Sequence, residues 1–285
     1  MTVLPSPTEQ AARESGLRPR YAVIAFVAGL FIVASLLIQE VGYHNSLTEE
    51  TVQLLTIHRR FPLDIIGAVL DGVGLLATGY MLYWLNSISL ARDPRLSPLT
   101  RWLVMIGAPL MGALEIVTIA VYSVKASSFA NGGPAHEGYP AAYHLVHPVA
   151  IVLGVCSLAE ELGALFMAAG FIWSALNAMR VGLLPRPLGY GGVLAGALII
   201  FAIGPISFII QGAWLVCAAV VISGRWANDP PAWREGIAIP WLPGGKPNYE
   251  AATAAAGVST VVVDSDAGPS QSADYTARRK KKKKR

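Results

Sequence analysis

Five long apolar runs punctuate the chain: Tyr21 to Ile38, Leu63 to Ile88, Trp102 to Val124, Val149 to Ala178 and Leu188 to Ile222. Each can cross a hydrocarbon core of about 30 Å, for which roughly 20 helical residues suffice. The last run is too long for one crossing, since at about 1.5 Å per residue a straight helix over it exceeds roughly 50 Å. Gly204-Pro205 stands near its middle. A turn there gives six spans; a kink gives five.

Loop charge favours six. With the N-terminus inside, Arg13, Arg18, Arg20, Arg92, Arg95, Arg101, Arg180 and Arg186 fall on the inner side, against Arg59, Arg60 and Lys125 outside. That asymmetry is the one the positive-inside rule describes. A five-span chain would export Arg225, Arg234 and the basic C-terminal end. The expected fold is therefore all-α, a polytopic transmembrane helix bundle of six spans at about 21–40, 62–88, 102–124, 148–178, 187–203 and 206–223, with five as the alternative. A cytoplasmic segment over 1–20 precedes it. An irregular Pro/Trp-rich juxtamembrane segment over 224–250, expected against the inner membrane face, and a disordered linker and polybasic tail over 251–285 follow.

Composition agrees: 54% hydrophobic and 14% charged residues depart from the soluble average of about 45–50% and about 25%. The net charge of +4 is local, because eight of the 22 Lys and Arg residues occupy the last eight positions; without them 14 basic residues face 18 acidic ones, a net −4. A general affinity for polyanions is therefore argued for the tail alone and not for the body. Cys156 and Cys217 both sit in apolar runs, where a thiol behaves as a small hydrophobe. The run after Arg18 and Arg20 lacks a small-x-small cleavage site, so it is read as an uncleaved first span.

Trp84, Trp102, Trp173 and Trp226 are expected at the inner headgroup level, and Tyr43, Tyr122, Tyr139 and Tyr143 at the outer one. Asn45 to Arg60, with Ser46 and Thr48 as caps, suggests a short helix at the outer surface, after which Pro62 opens the second span.

The ionisable groups at membrane depth carry the candidate chemistry. Asp71, Glu115, Glu160 and Glu161 lie inside predicted spans, where an acidic residue costs roughly 2.5–3.5 kcal/mol on insertion scales. Counting from the outer helix ends at 1.5 Å per residue puts Asp71, Glu115 and Glu160 at depths of roughly 15–18 Å. Three helices thus bring carboxyl groups to nearly one level, with no Lys or Arg there to pair with them. Either they are protonated and hydrogen-bonded to backbone or to hydroxyls such as Tyr80 and Ser157, or they stay ionised around a cation or water. Glu160 and Glu161 diverge by about 100° around their helix, so Glu160 is expected to face the cluster and Glu161 a different helix or a second subunit. Asp64, seven residues before Asp71 on nearly the same face, would line an outer approach. Pro109 would kink the third span and free carbonyl oxygens near Glu115.

All five histidines fall outside, and His144 and His147 at i, i+3 would meet one metal ion or sense pH if helical; ordinary titration at a wet interface is the plainer reading. Closely spaced glycines, including Gly192-x-x-x-Gly196, mark packing faces, with a homo-oligomer or a membrane-protein partner as further expectations. No phosphate-binding loop, dinucleotide fingerprint, zincin, hydrolase or paired C-x-x-C motif occurs, which lowers the expectation of those chemistries and leaves the cofactor unknown. The tail Arg278, Arg279, Lys280, Lys281, Lys282, Lys283, Lys284 and Arg285 suits anionic lipid headgroups at roughly 1 kcal/mol per residue. Nucleic acid or an acidic protein is the alternative through the tail alone.

The run Met179 to Tyr190 (MRVGLLPRPLGY), followed by an apolar pair and then by Gly224-Arg-Trp226, Pro231-Ala-Trp233 and Ile239-Pro-Trp241, resembles a family of uncharacterised bacterial membrane proteins that often end in a basic tail. That resemblance supports six spans in a bacterial plasma membrane and brings no assigned activity; it is loop charge that is expected to keep both termini cytoplasmic. Three functions stay open: binding or movement of protons or small cations through the carboxylate cluster, a structural or assembly subunit engaging partners through the tail, and, last, a membrane enzyme.

Overall fold

The first four apolar runs each lie within one helix and the fifth is divided between two, as expected of a chain in lipid, where backbone N–H and C=O groups find partners only inside the segment itself. A computed structural model describes residues 6–40, 50–132, 139–201 and 204–255. In chain order the helices are α1 (Pro7–Glu40), α2 (Glu50–Arg60), α3 (Leu63–Arg92), α4 (Leu99–Asn131), α5 (Tyr139–Arg180), α6 (Arg186–Phe201), α7 (Pro205–Ile222), α8 (Ala232–Glu235) and α9 (Tyr249–Ala255). Residues 1–248 form one compact unit, and α9 is the described part of a second unit. Five helices are long and apolar enough to cross a membrane: Pro7–Gln39, Leu63–Arg92, Leu99–Asn131, Val146–Arg180 and Pro205–Ile222; α6 is a shorter apolar helix. The protein is a helical bundle suited to a membrane.

Several helices outrun their apolar cores. α1 starts at Pro7, inside the segment read as a cytoplasmic N-terminus, and runs through Pro19. α4 continues unbroken past Pro109 to Asn131. α5 begins at Tyr139, before the apolar run, so His144 and His147 lie on a helix. Apolarity marks where lipid is, whereas a helix continues as long as capping and packing sustain it.

Consecutive helices pack antiparallel, and the pairs go round the bundle in the order α1, α3, α4, α5, α6, α7, with α7 returning to α1. Small residues set the crossings. A Cβ at Gly72 would come within 2.6 Å of the Gly112 carbonyl oxygen, and one at Gly112 within 2.7 Å of that of Gly72, so the α3 and α4 backbones touch there. Gly29 and Gly212 play the same part between α1 and α7. The 188–222 run breaks at Gly204, whose φ of 51° lies in the left-handed region, and Pro205 then starts α7. The chain reverses there: Trp214 Nε1 donates to the Leu188 carbonyl at 2.7 Å, across the pair α6 and α7.

The end of the bundle where α1 begins, here the proximal end, is closed by a strap over residues 224–248. This segment was expected to lie against a membrane face; it is instead built into the helix ends. Trp233 and Ile239 are buried. Trp233 Nε1 donates to Leu183 O at 2.9 Å and Trp241 Nε1 to Leu184 O at 2.8 Å. Ile239 N donates to Val181 O at 3.1 Å, and Arg186 to Trp241 O at 2.7 Å. The fit depends on Gly182, where φ is 80° and a Cβ would sit 2.0 Å from Ile239 O.

Charge completes the closure. Arg92 pairs with Glu14 at 2.6 Å, with side chains 0% and 5% exposed, and also donates to Ala232 O at 3.0 Å. Arg18 pairs with Asp229 at 2.9 Å and donates to Ile222 O at 2.7 Å. Its guanidinium lies 4.6 Å from the Trp233 ring centroid, within cation–π range. Tyr21, Trp84 and Trp233 continue as a stack, with centroids 4.0 Å and 5.8 Å apart. Trp84, expected at the headgroup level, is therefore buried, whereas Trp102 and Trp173 are exposed. An indole with a cationic and aromatic stack to join gains more from it than from an interface.

At the opposite, distal end, α2 packs through Leu54 against Ala126 and Phe129 of α4. Its last residue, Arg60, is buried, donates to Ile38 O and Gln39 O at 2.9 Å, and pairs with Asp64 at 2.7 Å.

Candidate functional site

The α3–α4 crossing sets up the most unusual chemistry in the bundle. Asp71 immediately precedes Gly72, and Glu115 follows Gly112 by three residues, so the backbone contact at the two glycines holds one carboxyl from each helix beside the crossing. Asp71 is 3% exposed. Its carboxyl group is close enough to that of Glu115 for the two to interact. Ser35 of α1 donates to Asp71 Oδ1 at 3.2 Å while also contacting Ile32 O at 2.9 Å. Glu160 of α5, half-buried, is close enough for its charge to act on both.

Four helices thus contribute to one spot: α1 a hydroxyl, α3 and α4 a facing carboxyl pair, and α5 a third carboxyl at its edge. Two carboxyl groups hydrogen-bond only when at least one carries a proton. Farther toward the distal end, Thr118 Oγ1, one turn beyond Glu115, and Ser123 Oγ are buried, without a hydrogen-bond partner among the described residues.

The other sequence candidates are placed differently. Asp64, expected to line an approach, is paired with Arg60 at the end of α2. Glu161 is exposed on the outside of α5 and does not join the pair. Tyr80 hydrogen-bonds with Tyr21 at 3.2 Å and Ser157 is exposed; the hydroxyl beside Asp71 is that of Ser35. Ser35 had a signal, being the sole hydroxyl in the run Ala22 to Ile38. His144 and His147 are exposed, and among the described residues no group of three or more His, Cys, Asp or Glu could hold a metal ion. Arg278 to Arg285 lie outside the described residues.

A second buried polar group went unread in the sequence. Asn86 of α3 donates to Ser174 of α5, and Asn177 donates to Asn86 Oδ1 at 3.5 Å. Asn86 lies beside Ser87 near the end of one run, and Ser174 and Asn177 near the end of another; only the α3–α5 contact makes them a network. Searches against protein-family models, curated proteins and solved structures return no match for this chain.

Proposed function

We propose that this chain is a six-span protein of a bacterial plasma membrane, proximal end cytoplasmic, that binds protons or small cations at Asp71, Glu115 and Glu160 and moves them across the bilayer. The observation that carries the reading is the Asp71–Glu115 pair. A single buried carboxyl is satisfied by a backbone or hydroxyl partner, but two facing ones bind one proton between them or, ionised, a cation. Glu160 at the edge of the pair gives that proton or cation a second acceptor, and the Thr118 and Ser123 hydroxyls supply polar groups toward the distal side. The six-span count rests on the reversal at Gly204 together with loop charge, and the resemblance of the 179–241 segment supports the bacterial setting.

The test compares native protein with Asp71→Asn and Glu115→Gln, first for thermal stability in detergent against pH and a series of mono- and divalent cations, then for ion flux in liposomes. A pH- or cation-dependent stabilisation and a flux, both lost in either variant while the fold is retained, are expected. Identical responses of all three proteins would overturn the reading and leave the tail as the functional element of an assembly subunit.

A further inference from the structure

α5 is the least enclosed of the long helices, with only 11% of its most apolar window buried. Along its outside, residues recur at alternating spacings of three and four: Ile151, Gly154, Leu158, Glu161 and Leu165. All five are exposed, with Ile151 at 81% and Leu158 at 60%. This is the periodicity of a helix–helix seam. Gly154 has nothing within 4 Å of where a Cβ would stand, so its small size answers to no neighbour among the described residues.

Lipid covers Ile151 and Leu158 as well as a protein would. It cannot satisfy Glu161. That residue lies 12 positions before exposed Trp173 and 15 after Val146, where the apolar part of α5 begins, which places it about 18 and 22 Å from those levels, inside the hydrocarbon. Among the described residues it makes no hydrogen bond or ion pair, in contrast to Glu14, Asp64, Asp71 and Asp229. An intramembrane carboxyl of this kind faces protein or water rather than lipid.

We infer that α5 forms the seam of a homodimer, packing against α5 of a second copy about a two-fold axis along the membrane normal, with the two Glu161 carboxyls hydrogen-bonded to each other. The second copy fits because the motif is complementary to itself. A carboxyl group carrying a proton both donates and accepts, so two-fold symmetry that sets Glu161 against its own copy satisfies both groups without a cation. Gly154, two turns away on the same face, lets the helices approach closely. The inference does not rest on the Asp71–Glu115 pair, which Glu161 does not join.

The experiment uses the full chain with Cys156→Ser and Cys217→Ser, reconstituted at low protein-to-lipid ratio and treated with a short thiol cross-linker. Leu158→Cys is expected to give a covalent species of twice the chain mass, and Val69→Cys, exposed on α3, none. In a Förster-transfer titration of uncross-linked protein, Glu161→Leu should weaken dimerisation about tenfold, equivalent to about 1.4 kcal/mol for the two hydrogen bonds of the reciprocal pair together. Glu161→Gln, which still donates and accepts, should stay near native. A protein that remains monomeric, cross-linking equal at positions 158 and 69, a product of another mass, or undiminished dimerisation of Glu161→Leu would each overturn it.

Discussion

Replacing Arg92 by Met tests whether the proximal closure rests on charge. The Arg92 side chain is fully buried and that of its partner Glu14 nearly so, so solvent screening offers little relief. Removing the guanidinium leaves the Glu14 carboxylate buried with Gln10 Nε2, at 3.0 Å, as its remaining hydrogen-bond donor. Breaking a buried pair from one side costs about 3–5 kcal/mol. Loss of the hydrogen bond to Ala232 O adds about 0.5–1.5 kcal/mol. The double variant Glu14→Gln/Arg92→Met removes the stranded charge, so its cost should fall to about 1–2 kcal/mol, chiefly the strap hydrogen bond and lost packing against Trp233. The assay is unfolding in mixed micelles by increasing SDS, followed by tryptophan fluorescence, with the Glu14→Gln single variant completing the cycle. A double variant as unstable as Arg92→Met alone would refute the reasoning, because the damage would then lie in packing rather than in an uncompensated charge.

Gly72→Ala places a methyl group 2.6 Å from a carbonyl oxygen of α4 and should destabilise the bundle by about 1–3 kcal/mol, whereas Gly16→Ala, with open space around it, should be neutral or stabilise α1 by up to about 1 kcal/mol; SDS unfolding distinguishes them. Gly182→Ala, blocked by both its φ and Ile239 O, should release the strap, seen as faster tryptic cleavage at Arg225 and Arg234 with the helices still intact.

The helices were legible because their signal is averaged over some twenty residues, and depth counting placed Asp71, Glu115 and Glu160 at one level because rise per residue is constant. What a helical count cannot give is rotation. Whether Trp84 meets lipid or a neighbour depends on how its helix is turned, and that is set by glycine contacts between segments far apart in sequence. The strap was illegible for a related reason. Its prolines and charges look like those of a surface loop, and only the carbonyl groups exposed at Val181, Leu183 and Leu184 make Trp233, Trp241 and Ile239 a fitted closure. Asp64 was misjudged because Arg60, at the end of α2, was counted as loop charge rather than as its partner.

The contact of α1 with α7 joins the first spanning helix to the last, and the hydrogen bond from Arg18 to Ile222 O closes a separation of 204 residues. During synthesis, which proceeds from the N-terminus, α1 enters the bilayer with the face around Gly29 unmatched and waits for nearly the whole bundle to follow. Until then that face is a vacancy open to any helix with a small residue at the right depth. Assembly of this protein is therefore completed by its final span, and chains halted before α7 would be the ones exposed to the wrong neighbours.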